Sequence, residues 1–218
     1  MSFQNILKDL ANYNTNLVAV SKTKPQSAIL ELYEEGQRDF GENRVQELVD
    51  KQEALPKDIN WHMIGHLQSN KVKYIAPFIH LIHSVDSPKI LKEINKQAAK
   101  NDRIIDCLLQ FHIAEEDTKY GFDSDEALAF LKSPEFQSLQ NIRIVGVMGM
   151  ATFTKDENQV RNEFRSLKVI FDLLQKNYFD QVNSFKEISM GMSGDYTIAM
   201  EEGSTMVRIG SLLFGARR

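Results

Sequence analysis

Two kinds of apolar patterning alternate along the chain. Short runs rich in β-branched and aromatic residues recur eight times, at Leu17–Lys22, Phe40–Asn43, Trp61–Gly65, His80–Asp86, Ile104–Ile113, Ile144–Met150, Glu187–Ser193 and Met206–Gly210. Between them lie segments whose apolar residues fall three and four positions apart, the spacing of a helix face. In Pro25–Glu35, Ile29, Leu32 and Tyr33 share one face, Pro25 suits the first helical position and Gly36 can close the end. Gln159–Leu174 repeats the pattern with Val160, Phe164, Leu167, Phe171 and Leu174, and Phe3, Ile6, Leu7 and Leu10 predict an extra helix before the first strand.

Strands alternating with helices predict a parallel sheet joined by right-handed crossovers. A doubly wound sheet more often has about five or six strands, and no Gly-x-Gly-x-x-Gly follows the first run. Eight strands favour a (β/α)8 barrel. The predicted fold is therefore α/β, a single TIM barrel over residues 1–218 with an extra N-terminal helix, because no Pro/Gly/Ser-rich linker divides the chain. Barrels of this kind place their chemistry at the C-terminal ends of the strands, which selects the residues of interest.

Composition narrows the partners. With 42% hydrophobic residues in 218, the chain can build a sizeable core. Its 26 basic and 30 acidic residues give a net charge of −4 with no basic block, which argues against nucleic acid. No apolar run approaches the roughly 18 residues of a membrane span. The N-terminus lacks the basic and apolar regions of an export signal, and Cys107 is the single cysteine. A cytoplasmic setting is the expectation.

Lys22 ends the first run in phase with Val18 and Val20. If that face points into the barrel, an ammonium group reaches the rim of an apolar interior, where desolvation favours the neutral amine that attacks carbonyls. Lys24 lies two residues on, and spacing alone does not choose between them. In the seventh run, Ser193 precedes an expected short helix from Asp195 to Glu202 and is a candidate N-cap, beside backbone N–H groups suited to an anion. The eighth run ends Val-Arg-Ile-Gly-Ser: Gly210 allows close backbone approach, Ser211 adds a hydroxyl at the start of a terminal helix, and Arg208 supplies a fixed cation. Barrels commonly bind phosphate in the loops after strands seven and eight. Asn43 ends the second run with its amide at the same rim. His62 and His66 have the spacing of a helical metal pair but flank a β-like run, and no metal centre is expected. His80, His83 and His112 read as core or rim histidines, and Met190 and Met192 as packing or as an apolar wall for a ring.

Five motifs stand in order between Val18 and Gly215: Ala-Val-Ser-Lys-Thr-Lys-Pro, Phe-Gly-Glu-Asn-x-Val-Gln-Glu, Trp-His-x-Ile-Gly-His-Leu-Gln, Ser-Met-Gly-Met-Ser-x-Asp and Val-Arg-Ile-Gly-Ser-x-x-Phe-Gly. Together they resemble the pyridoxal 5′-phosphate homeostasis protein family. The resemblance implies a barrel similar to the N-terminal domain of alanine racemase, with pyridoxal phosphate held as a lysine aldimine. Lys22 matches the aldimine lysine; Ser193, Gly210 and Ser211 match phosphate-binding positions; Arg208 matches the arginine facing the pyridine nitrogen; Asn43 falls in a pocket motif, and His62 and His66 in a motif without an assigned role.

The same resemblance implies a protein that buffers and delivers the cofactor, acting on vitamin B6 homeostasis and, indirectly, amino-acid and keto-acid balance, without catalytic residues of its own. Expected partners are pyridoxal phosphate and pyridoxal-phosphate-dependent apoenzymes, and the expected state is a monomer or weak dimer. Only three residues follow Phe214-Gly215, so the second domain that supplies the opposing base in alanine racemase is not expected. A weak amino-acid racemase and a Schiff-base aldolase are the alternatives.

Overall fold

The computed structural model describes residues 2–115 and 120–215. Eight parallel strands, β1 (Asn16–Val20), β2 (Asp39–Glu42), β3 (Asn60–Met63), β4 (Leu81–Val85), β5 (Ile105–Gln110), β6 (Ile142–Met148), β7 (Glu187–Met192) and β8 (Met206–Ile209), close into a barrel in sequence order. The seam is the pairing of β1 with β8, which sets Val18 opposite Arg208 and Ala19 opposite Ile209. Around it run α1 (Phe3–Ala11), α2 (Gln26–Glu34), α3 (Val45–Ala54), α4 (Val72–Ile75), α5 (Pro88–Lys100), α6 (Ser124–Leu131), α7 (Pro134–Gln137), α8 (Glu157–Tyr178), α9 (Tyr196–Glu201) and α10 (Ser211–Phe214). The predicted barrel and the extra helix ahead of β1 are both present.

The helix faces read from the sequence are the buried ones. Ile29 and Leu32 of α2, and Val160, Phe164, Leu167, Phe171 and Leu174 of α8, pack into the layer between strands and helices. Each such side chain contributes roughly 1.5–3 kcal/mol on leaving water. Helix α1 is capped by Ser2, whose Oγ accepts from Asn5 N at 3.3 Å, and buries Phe3, Ile6 and Leu10. A second, smaller apolar cluster lies apart from this layer and is made of strand residues: Val18, Leu81, Leu108, Val145, Met148 and Met206.

Boundaries differ from expectation where local chemistry overrides periodicity. Strand β1 stops at Val20, so Lys22 stands in the following turn, next to Thr23 with φ +64°. Pro25 is extended (φ −68°, ψ 158°) and is the N-cap of α2, not its first residue. Asp156 accepts from Asn158 N and Gln159 N at 3.0 and 3.2 Å, so α8 begins two residues early and runs for 22. In β7 the register slips between Ser189 and Met192, where Gly191 has φ +95°. That bulge sends Met190 into the outer core and Met192 to the barrel mouth. Among the described residues no helix is long and apolar enough to cross a membrane.

Candidate functional site

A cavity of about 400 Å³ opens at the C-terminal ends of the strands, within the usual range for a small-molecule site. Lys22, Asn43, Ser193, Arg208, Gly210 and Ser211, the six residues picked out by the sequence, all line it. Register explains the convergence. Val20 pairs with Gly41 and Ala19 with Ile209, so the residues just past the ends of β1, β2 and β8 meet at one rim. Ile64, Met150 and Met192 supply apolar wall.

Two lysines reach the cavity, and their surroundings separate them. Lys24 Nζ donates to the carbonyls of Phe214 and Gly215 at 3.0 and 3.1 Å, which ties the loop after β1 to the loop after α10. Lys22 is half-buried, and the residues on both sides of it are anchored from below. Ser21 Oγ donates to Glu42 Oε1 at 2.6 Å, and Thr23 N donates to Glu47 Oε1 at 2.6 Å. Lys51 Nζ joins the anchors, donating to Glu42 Oε1, Glu47 Oε1 and Ser21 O at 2.7, 2.7 and 2.8 Å. The side chain of Glu42 is wholly buried, and burial pushes its carboxyl above the ordinary glutamate value despite the Lys51 ammonium. Sequence reading missed this cluster because Lys51 lies on α3, away from any strand end.

The loop after β7 departs from expectation. Asp195, not Ser193, is the N-cap residue of α9, and its carboxylate turns back to accept from Met192 N at 2.5 Å. Ser193 Oγ instead accepts from Gly210 N at 3.2 Å, joining the β7 and β8 loops. The two loops expected to hold an anion are thus one hydrogen-bonded unit. Gly65, after β3, packs against the backbone of Asn43. A Cβ there would lie 2.4 Å from Asn43 O and 2.7 Å from Asn43 Cα, backbone with no flexible end to yield. Gly65→Ala is accordingly expected to displace Asn43 and to lower stability by about 1–3 kcal/mol, read as a fall in the urea midpoint with an unchanged m-value.

Arg208 is buried under the cavity floor, with Nη1 donating to Ser189 Oγ at 2.6 Å and Nη2 to Gly149 O at 3.0 Å. Burial lowers its pKa to about 10, with Asp195 opposing, so it remains a cation at neutral pH. It can donate but not accept. His66 leans outward, stacked on Tyr120 and 2.8 Å from Asp86 Oδ2, whereas His62 points into the barrel. Asp39, His62 and His80 bring one ligand atom each within 4.8 Å of one another, a grouping that could hold a metal ion and that the His62–His66 spacing did not reveal. Both ring nitrogens of His62 are already engaged there, by Asp39 at 3.0 Å and His83 at 2.9 Å.

The alanine racemase N-terminal domain model matches residues 4–218. The chain is 40% identical over 203 residues to the pyridoxal phosphate homeostasis protein of Aquifex aeolicus, covering 93% of this chain and 87% of that one. The structure of PipY from Synechococcus elongatus with pyridoxal phosphate bound superposes with a TM-score of 0.84 at 36% identity, over 96% of this chain and all of that one. Alanine racemase from Bartonella henselae shares the fold at 17% identity, with a TM-score of 0.69 over 96% of this chain and 57% of that one. From its barrel, its ordered motifs and these likenesses, the chain belongs to the pyridoxal phosphate homeostasis protein family, built on the alanine racemase N-terminal fold.

Proposed function

We propose that the protein binds pyridoxal phosphate in the cavity at the barrel mouth, and that it stores and hands over the cofactor instead of using it on substrates. The observation that carries this reading is the meeting, in one cavity, of a half-buried primary amine, a Ser/Gly anion unit and a buried guanidinium. Lys22 would supply the primary amine that the cofactor's aldehyde can react with. Ser193, Gly210 and Ser211 would hold the phosphate, Arg208 would serve the ring nitrogen, and Asn43, Met192 and Ile64 would line the ring.

The donor set favours storage over catalysis. The cofactor's chemistry is that of an electron sink, strongest when its ring nitrogen is protonated. Arg208 cannot take that proton from the ring or return it, so it holds the nitrogen unprotonated and weakens the sink. Racemisation further needs a base on each side of a substrate. Among the described residues, the ionisable groups lining the cavity are Lys22, Lys24, Asp195 and Arg208. Lys24 is committed to the Phe214 and Gly215 carbonyls, and Asp195 to Met192 N.

The test incubates loaded protein with single L-amino acids in deuterated water while an apo-acceptor enzyme is added in parallel. The expected result is recovery of acceptor activity without α-proton exchange. Exchange over many turnovers, abolished by Lys22→Ala, would replace this reading with that of a racemase. The phosphate assignment has its own check: Ser193→Ala and Ser211→Ala should each weaken binding by about 10- to 150-fold in an equilibrium titration, the value of one hydrogen bond to a charged group.

A further inference from the structure

The interior of this barrel is not filled by apolar layers alone. His62, His83, Ser189 and Arg208 are all buried, and they form a continuous line from the cavity floor towards the opposite rim. Arg208 Nη1 lies 2.6 Å from Ser189 Oγ, Ser189 Oγ 2.9 Å from His83 Nδ1, His83 Nε2 2.9 Å from His62 Nδ1, and His62 Nε2 3.0 Å from Asp39 Oδ1. Asp39 is the first residue of β2, and its side chain is 37% exposed.

One direction of donation satisfies every donor and acceptor in this line. Arg208 can only donate, so Ser189 Oγ accepts from it, and in this direction the hydroxyl hydrogen goes to His83 Nδ1. His83 then carries its proton on Nε2 and donates to His62 Nδ1. His62 carries its proton on Nε2 and donates to the Asp39 carboxylate. Every group in the line is then satisfied. Burial holds His83 well below the ordinary histidine value, which agrees with a neutral ring. For Asp39, burial opposes ionisation but is outweighed, first by the His62 hydrogen bond, so the carboxyl titrates below its ordinary value and is available as the acceptor.

We propose that Asp39, His62, His83 and Ser189 are positioning residues for Arg208: a one-way chain of four hydrogen bonds that lets a carboxylate at the N-terminal rim fix the guanidinium under the cavity. The consequence is specific. Arg208 has a planar fork whose use depends on its orientation, and two of its nitrogens are committed, to Ser189 and to Gly149 O. Removing the terminal acceptor frees the His62 proton to move to the other ring nitrogen. His83 and Ser189 then lose their fixed polarity, and with it the orientation of Arg208. This inference rests on the proposed placement of the cofactor ring against Arg208.

Two measurements separate the chain from that placement. In ligand-free protein, ¹⁵N shifts of the imidazoles should show His83 and His62 each protonated on Nε2. Finding the Nδ1–H form of His83 in the native protein would overturn the proposal, whatever the protein binds. The second compares pyridoxal phosphate titrations of folded Asp39→Ala and Asp39→Asn. Asparagine keeps an oxygen for His62 and should stay near the native affinity and absorption band. Alanine should weaken binding roughly 2- to 30-fold, the range of coupling through such networks, and shift the band. In an Arg208→Lys background the Asp39→Ala effect should disappear, since the chain would have no fork left to orient. An Asp39→Ala protein that binds with native affinity and band position would overturn the proposal, as would an equal loss in the Arg208→Lys background. If the native protein gives no Lys22-linked band at all, the cofactor placement fails, and the imidazole shifts still decide the chain.

Discussion

If the protein holds pyridoxal phosphate as proposed, Lys22→Ala is expected to abolish the visible absorption band of the complex and to lower affinity roughly 100-fold, about 2.7 kcal/mol. Lys24→Ala should keep the band. The two lysines are separated by their surroundings and not by their distance along the chain. Lys24 spends its hydrogens on the Phe214 and Gly215 carbonyls, whereas the turn carrying Lys22 is pinned on either side by Ser21 and Thr23. Holding the amine at the cavity limits the entropy lost when it reacts. Borohydride reduction followed by peptide mapping checks the assignment, and a pyridoxyl group on Lys24 would contradict it.

Lys51→Met should be the most destabilising single change near the site, by about 3–5 kcal/mol, because it strands the buried Glu42 carboxylate. The deficit should grow with pH. Burial already raises the Glu42 pKa, and without the Lys51 ammonium the native state holds the Glu42 proton to still higher pH than the unfolded chain does. Where the native state binds the extra proton, stability falls as pH rises. Urea unfolding at several pH values should therefore show variant and native protein closest at low pH and furthest apart above neutrality. Adding Glu42→Met should recover most of the loss, since an apolar pair no longer strands a charge. A deficit independent of pH would show that Glu42 is not the group responsible.

The barrel was legible because its strands are local apolar runs and its helices carry one apolar stripe, signals set by residues near one another in sequence. Lys22, Asn43, Arg208 and Ser211 were legible because strand ends in a barrel share a rim. The limits came from groups whose partners are distant. Ser193 has the chemistry of an N-cap, but its hydroxyl went to Gly210 N, seventeen residues away, and Asp195 took the cap position. Strand β1 was expected to reach Lys22; the turn at Thr23, held by Glu47, ended it earlier. His83 reads as a core or rim residue from its apolar run, but no local pattern reveals that it faces His62 and Ser189 across the barrel interior. Non-local polar contacts of this kind carry no periodicity to read.

The cavity straddles the seam between the first strand and the last, with Lys22 on one side and Arg208, Gly210 and Ser211 on the other. Lys24 and Phe214, 190 positions apart, are hydrogen-bonded across it. Joining segments so far apart is the step of ring closure that costs most chain entropy. A chain whose eighth strand has come away has half a binding site and little affinity. Whatever fills the cavity therefore acts as a latch on the ring, adding about 2.7 kcal/mol to closure at a hundredfold excess over its dissociation constant. If that occupant is the proposed cofactor, its supply would set how readily the C-terminal strand is exposed to proteases, and with it the protein's lifetime.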